Sequence, residues 1–390
     1  MTLLSSASST IENSTLMPEK KYAIPLCKPD IGIEEASNVL SVLASGFLTS
    51  GPWVEKLETA LAQEVGCKYA VAVNSCTSAL ILALKALDIT GEVILPSFTF
   101  AATANAIVLA GATPVFADIL PDTYNIDPSH IESLITPNTE AIIPVHFAGQ
   151  SCDMDRIQQI ATEYHLAIIE DCAEALGASY RDQPVGSFGT GCFSFFPTKA
   201  ITTGEGGAIT TNDPTLASRC CLLRAHGVVK SGFHRSTVEP GYNFRLSDIL
   251  ASIGLPQLSR LDTMNAARKR AARYYNISLP GYLGLPTPAP YCNHVYQMYP
   301  LILLPQEGFR DKFVDSLRLL SIEASVHFDP PVHLHPYYQS HYSSPPLPIT
   351  EEVSRTIATL PIFPSITQEQ LDTVVNAVHH TVRELRREMQ

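Results

Sequence analysis

One lysine sits where its neighbours can make it reactive. In Cys192-Phe-Ser-Phe-Phe-Pro-Thr-Lys199-Ala-Ile-Thr-Thr-Gly-Glu-Gly-Gly207, residues Cys192 to Phe196 read as a short buried strand and Pro197 ends its pairing. Gly204, Gly206 and Gly207 then allow a tight return into a second strand, Ala208 to Thr211. A lysine anchored on both sides is partly dry. Desolvation disfavours its ammonium form, so its amine can attack an aldehyde and form a Schiff base. An ordinary loop lysine beside a hairpin would fit the same stretch equally well, and the choice depends on what lies upstream. Twenty-eight positions earlier, Ala167-Ile-Ile-Glu-Asp171 is an apolar run ending in carboxylates, the pattern of a buried strand whose C-terminal end faces a ligand crevice. Pyridoxal phosphate chemistry needs both functions, a lysine for the aldehyde and a carboxylate against the pyridine nitrogen that keeps the ring an electron sink. Asp171 and Lys199 are the natural pair. Glu174, three residues past the aspartate, is either a third member of the same cavity or a solvated loop carboxylate.

These side chains need a scaffold, and the flanking pattern supplies one. Tyr69 to Val73 reads as a strand, followed by Asn74-Ser-Cys-Thr-Ser78 at the opening of an apolar helix, Ala79 to Leu87. Free backbone N–H groups at such a start suit a phosphate, which makes Ser75 to Ser78, with Cys76 and Thr77 between them, candidates for a phosphate cradle. The same residues also serve as an ordinary helix cap. A strand at Glu92 to Pro96 leads through Phe98 and Phe100, one of which could stack on an aromatic ring, into a helix at Ala101 to Ala110. Strands at Thr113 to Asp118 and Ala141 to His146, with helices at Pro128 to Leu134 and Asp153 to Tyr164, continue the alternation. The expected fold is α/β, with a mostly parallel sheet packed between helices. Ile33 to Ser45, about Trp53 to Val65, and Leu216 to Ala225 are further helices. The stretch His226 to Glu239 has no periodicity and reads as a long loop. A helix from about Ile249 should kink or break at Pro256, which lacks an N–H for Ser252. A basic helix over Asn265 to Tyr275 opens a smaller α+β domain, with a strand at Met298 to Leu304 and helices at Phe309 to Leu320 and Glu369 to Glu388. The domain division is 1–20 as a disordered tail, 21–260 as the large domain and 261–390 as the small one.

Composition excludes several functions. The 390 residues carry 26 basic and 38 acidic side chains, a formal charge of −12, which argues against non-specific nucleic-acid or membrane-surface binding. Nine cysteines show no paired metal spacing and read as reduced thiols. No apolar stretch reaches the roughly 18 residues of a membrane span, and the Ser/Thr-rich start has no secretory pattern, so the cytoplasm is the expected location. His146 and His165 read as structural. His327, His333, His335 and His341 lie among prolines without helical spacing, so no metal site is assigned to them. Arg383, Arg386 and Arg387 beside Glu384 and Glu388 read as a solvated helix face.

Five blocks together resemble the nucleotide-sugar aminotransferases of the DegT/StrS type, a branch of the fold-type-I pyridoxal phosphate enzymes. They are Ser45 to Pro52, Asn74 to Ala79, Gly111 to Asp118, Ile169 to Gly177 and Phe193 to Gly207, in matching order and spacing. The resemblance runs from about Lys21 to the C-terminus and implies a large sheet domain with a smaller C-terminal α+β domain. It implies that Lys199 holds the cofactor aldehyde and Asp171 pairs with the pyridine nitrogen. Cys76, Thr77 and Ser194 would hold the phosphate, and Phe100 would cover the ring. Glutamate at position 174, where histidine or glutamine is frequent, resembles the perosamine-synthase-like branch. The segment with Asn243 and Arg245 resembles one that enters the neighbouring subunit's site, implying a homodimer with shared active sites. Ala200 replaces a frequent asparagine, and Pro256 sits in a helix usually free of proline. The implied reaction is a ping-pong transfer from glutamate to a keto sugar nucleotide, with a 4-keto-6-deoxy sugar as the leading acceptor. The alternatives are a pyridoxamine phosphate-dependent sugar dehydratase, disfavoured because that branch has histidine in place of Lys199, and a non-catalytic regulatory protein that kept the fold.

Overall fold

The computed structural model describes residues 22–388, so the expected disordered tail, 1–20, lies outside the described residues. The first two helices stop where the sequence supplies glycine. Helices α1 (Ile33–Ser45) and α2 (Pro52–Val65) end on Gly46 (φ 73°) and Gly66 (φ 70°), left-handed positions that a β-carbon would strain. Helix α2 turns Val54, Leu57, Leu61 and Val65 inward, the stripe expected of a helix lying on a core.

Strand and helix then alternate, as the pattern predicts: β1 (Tyr69–Val73), α3 (Cys76–Ala86), β2 (Glu92–Pro96), α4 (Ala101–Ala110), β3 (Thr113–Ala117), α5 (Pro128–Leu134), β4 (Thr139–Ile142), α6 (Met154–Tyr164) and β5 (Ala167–Asp171). After a small hairpin, β6 (Ser179–Tyr180) and β7 (Gln183–Pro184), come β8 (Thr190–Ser194) and β9 (Gly207–Thr211). Seven of these strands form one sheet in the order β1-β9-β8-β5-β4-β2-β3. Strand β9 is antiparallel to both neighbours and every other pairing is parallel. Parallel strands covered on both faces need apolar side chains throughout, which is why Val93, Ile94 and Leu95 are all buried.

Register explains why chemistry gathers at one edge. Val73 pairs with Gly207, Gly207 with Ser194, and Cys192 with Asp171, so four chain segments leave the sheet abreast. Gly207 is there because nothing larger fits: a β-carbon would lie 2.5 Å from the Ser75 carbonyl carbon and 2.6 Å from the Cys76 nitrogen. Strand β9 therefore passes directly against the start of α3.

After α7 (Pro214–Leu223), β10 (Val228–Ser231) and β11 (His234–Thr237) form an exposed hairpin, and α8 (Asp248–Ser259) and α9 (Leu261–Ser278) follow. A second core gathers Ile24, Tyr275 of α9, and side chains from β13 (Tyr299–Ile302), α10 (Phe309–Leu319), β14 (Ile357–Leu360) and α13 (Gln368–Glu388). The short strand β12 (Cys292–Asn293) pairs with β6, and α11 (Pro336–His341) and α12 (Pro348–Thr356) fill the remaining connection. From that connection Val332, Tyr338 and Leu347 pack into the core of the large sheet.

Several elements differ from their sequence expectation. Helix α3 starts at Cys76 rather than Ala79, because Ser75 is its N-cap and accepts from the Ser78 N–H. The strand expected from Ala141 to His146 ends at Ile142; Pro144 lacks a donor for the ladder. The strand expected over Cys192 to Phe196 is shifted two residues earlier. The His226 to Glu239 stretch is a hairpin, not a loop; with both faces in solvent, burial imprints no alternation on its sequence. Helix α8 runs unbroken through Pro256, and the Ser252 carbonyl that the proline leaves unpaired accepts the Asn38 side chain of α1 at 3.3 Å.

Replacing Gly207 with alanine should force β9 off the α3 start. We expect Gly207→Ala to destabilise the protein by about 1–3 kcal/mol, as overpacking does, and to weaken phosphate-anion binding. A melting temperature unchanged from wild type would show that the contact yields.

Candidate active site

Asp171 ends β5 and is 5% exposed. Its Oδ2 accepts from Thr103 Oγ1 at 2.8 Å and its Oδ1 from the Ala173 N–H at 3.1 Å. Burial pushes its pKa up; the two hydrogen bonds and the charge of Lys199 pull it back. A carboxylate so placed is stabilised by any cation that reaches it, and a protonated ring nitrogen is one.

Lys199 follows the β8 strand and sets its Nζ 3.3 Å from Glu174 Oε1. The other Glu174 oxygen accepts the Ala148 N–H at 3.0 Å. Ala148 lies at φ 55°, a left-handed position that costs a residue with a β-carbon roughly 1–2 kcal/mol. That strain aims one N–H at Glu174. Behind the pair, His146, which the sequence reads as structural, is buried. Its Nδ1 accepts from the Cys152 N–H, so its Nε2 carries the proton and donates to Glu170 Oε2 at 3.1 Å. Glu170 also accepts the N–H groups of Gly186, Phe188 and Gly189. Cys172 approaches the same two side chains, but His146 and Glu170 have spent their lone pairs within the fold.

At the start of α3, Ser75 Oγ takes the Ser78 N–H, and no acceptor among the described residues meets the N–H groups of Cys76 and Thr77. Both residues line a cavity of about 620 Å³ that also holds Ser194, Phe100, Asp171, Glu174 and Lys199. Two unpaired donors at the positive end of an eleven-residue helix fit a phosphate. Phe100 is 68% exposed and lines this cavity, whereas Phe98 is core, edge-on to Phe147 and Phe328. A phosphate cradle, an aromatic face, a buried carboxylate and an amine thus lie around one space, and the residues present suit pyridoxal phosphate.

Asn243 and Arg245 do not line this chain's cavity. Asn243 is exposed, and Arg245 bridges to Val73 at the sheet edge. Among the described residues, Lys199 is the one lysine or arginine that lines the cavity. The four clustered histidines separate: His327 and His335 line the cavity, His333 bonds Ser97, and His341 bonds Ser340. His327 Nδ1 meets Thr359 Oγ1 at 2.8 Å, and burial pushes its pKa down, leaving it neutral at pH 7. Thr103, Ala148 and Gln297 were not foreseen as site residues. Only Thr103 had a visible signal, standing one helical turn after Thr99 on the helix that Phe100 precedes.

The model of the DegT/DnrJ/EryC1/StrS aminotransferase family matches residues 29–379. The spore coat polysaccharide biosynthesis protein SpsC of Bacillus subtilis is 40% identical over 94% of this chain and 99% of its own. Helicobacter pylori PseC, an aminotransferase involved in pseudoaminic acid biosynthesis, superposes with a TM-score of 0.88 at 32% identity, covering 94% of this chain and 100% of its own. The pyridoxal phosphate form of the putative sugar aminotransferase Spr1654 from Streptococcus pneumoniae gives 0.86 at 30% identity, covering 93% and 100%. The chain belongs to the DegT/DnrJ/EryC1/StrS aminotransferase family and is a pyridoxal phosphate-dependent enzyme of fold type I.

Asp171→Asn should keep cofactor binding, through the cradle and Phe100, but lower turnover by about 10² to 10³, the usual loss when an electrostatic partner of the reacting group is removed. Steady-state kinetics on the cofactor-loaded variant measure this. Turnover near wild type would assign the role to another acid.

Proposed function

We propose that this aminotransferase moves an amino group from glutamate to the keto carbon of a nucleotide-linked sugar, with a 4-keto-6-deoxy sugar as the leading acceptor. The observation that carries the reading is the Lys199 amine held 3.3 Å from Glu174 in a cavity floored by buried Asp171. Pyridoxal phosphate supplies an electrophilic carbon and an electron-accepting ring when bound. The chain does the rest. Cys76, Thr77 and Ser194 would hold the phosphate, Phe100 would cover the ring and Asp171 would favour the protonated ring nitrogen. Lys199 would hold and move a proton at its Nζ, with Glu174 orienting that amine from 3.3 Å. The sugar assignment draws on family membership and on relatives named for polysaccharide and pseudoaminic acid biosynthesis, and the position of the keto group on the likeness of Glu174 to one branch.

Glutamate and a nucleotide diphosphate are both anionic, yet among the described residues the cavity is lined by no lysine or arginine besides Lys199. A second subunit would supply a missing cation, for which Arg245 is our candidate, with Asn243 two residues before it as a neutral hydrogen-bonding partner. Ile33, Leu40 and Leu43 of α1, with Phe47, are exposed on one segment and suit a buried homodimer surface. Nine free cysteines favour a reducing compartment, the cytoplasm. Residues 21–260 would form the cofactor domain and 261–390 the smaller one, with Ile24 reaching over into the smaller core.

Two experiments test this. Incubation with glutamate and 3-keto or 4-keto sugar nucleotides in parallel, read by NMR, should yield amination at carbon four; products only from 3-keto sugars or free cyclitol ketones would overturn the acceptor. Mixing inactive Lys199→Ala with inactive Arg245→Ala should restore part of the activity through hybrid dimers. A fully active monomer in light scattering would refute shared sites.

A further inference from the structure

The turn that carries Lys199 is held from outside the sheet. The Lys199 N–H donates to the Phe196 carbonyl at 2.9 Å, but the next three carbonyls face other parts of the chain. The Cys27 thiol lies 3.8 Å from the Pro197 oxygen and 3.5 Å from that of Thr198. Gln297 donates its Nε2 to the same Thr198 oxygen, and Arg268 Nη2 donates to the Lys199 oxygen at 3.4 Å.

Arg268 is an unusual choice for that place. It is 3% exposed, lies on α9, and has no carboxylate within ion-pair distance among the described residues. Its Nη1 donates to Asn265 Oδ1 at 3.3 Å, and its buried Nε meets no acceptor. Burial lowers its pKa to about 10, so it stays charged at neutral pH. A methionine would fill similar space without the penalty of drying an unpaired cation. What the guanidinium adds is direction, through two neutral oxygens.

Those contacts form a chain. Asn265, one turn before Arg268, donates its Nδ2 to the Leu176 carbonyl at 3.2 Å, two residues beyond Glu174. Gly177 at φ 83° makes room for it, since a β-carbon there would come within 2.6 Å of the Asn265 nitrogen. The path Lys199 carbonyl, Arg268, Asn265, Leu176 carbonyl thus ties the turn bearing Lys199 to the loop bearing Glu174, and both ties hang from one rigid helix.

We propose that Arg268, braced by Asn265, is a positioning residue that fixes the reach of the Lys199 amine toward Glu174 and the reacting carbon. This rests on Lys199 being the reactive amine, and Lys199→Ala serves as the control for it. In the cofactor-loaded enzyme, Arg268→Met should lower kcat of the glutamate half-reaction roughly tenfold to a hundredfold, the scale of a small misplacement of a reacting group. KM for glutamate should stay within about twofold, because substrate binding is untouched. Arg268→Lys should recover part of kcat. In the cofactor-free protein, hydrogen exchange at the 196–200 segment should speed up in Arg268→Met while the strands on either side keep wild-type protection. A half-reaction surviving in Lys199→Ala would remove the premise. Its loss there, with wild-type kcat and exchange in Arg268→Met, would overturn the positioning role alone. Should Arg268→Met fail to fold, Asn265→Ala carries the same test: slower kcat with unchanged KM supports the brace, and wild-type kcat overturns it.

Discussion

Burial of the Asp171 carboxylate is the constraint that the rest of the site answers. A charged group taken out of water must find partners, and Thr103 and Ala173 supply two hydrogen bonds, leaving the carboxylate still raised in pKa by desolvation. The remaining stabilisation must come from a cation in the cavity. That need fits a ring nitrogen that carries its proton only when a carboxylate faces it. The sheet makes the arrangement rigid, because Asp171 ends a strand flanked by two parallel neighbours, β4 and β8.

Around Asp171, strain and tight packing are concentrated where aim matters. Ala148 holds a left-handed backbone to donate to Glu174, and Gly207 brings β9 against the helix start whose N–H groups face the cavity. The second core reaches the cavity through Leu360 and Ile362, with Val326 packed against it, so the site is lined from two packed bodies of side chains. Movement between them would open or dry the same space.

Much of this was legible in the chain itself. Lys199, Asp171 and Glu174 stand beside short apolar runs with glycine or carboxylate punctuation, and local pattern sets where such residues leave a sheet. Ser75 to Ser78 showed its helix start, displaced by three residues because a cap and a first turn use the same residue types. What stayed hidden was long-range. Arg268 reads as one of several basic residues on a helix, and only folding brings it beneath a lysine 69 positions away. The Asn38 side chain that answers Pro256 lies 214 residues from the Ser252 carbonyl it meets. The 226–239 hairpin left no trace because solvent on both faces erases the alternation that marks a strand.

Everything proposed for the site turns on whether the Lys199 amine is the group that meets the cofactor aldehyde. Borohydride reduction of the cofactor-loaded protein, followed by peptide mass mapping, tests it directly. A single pyridoxyl label, on Lys199, is expected; a label on any other lysine, with Lys199 unmodified, would show that a different amine meets the aldehyde.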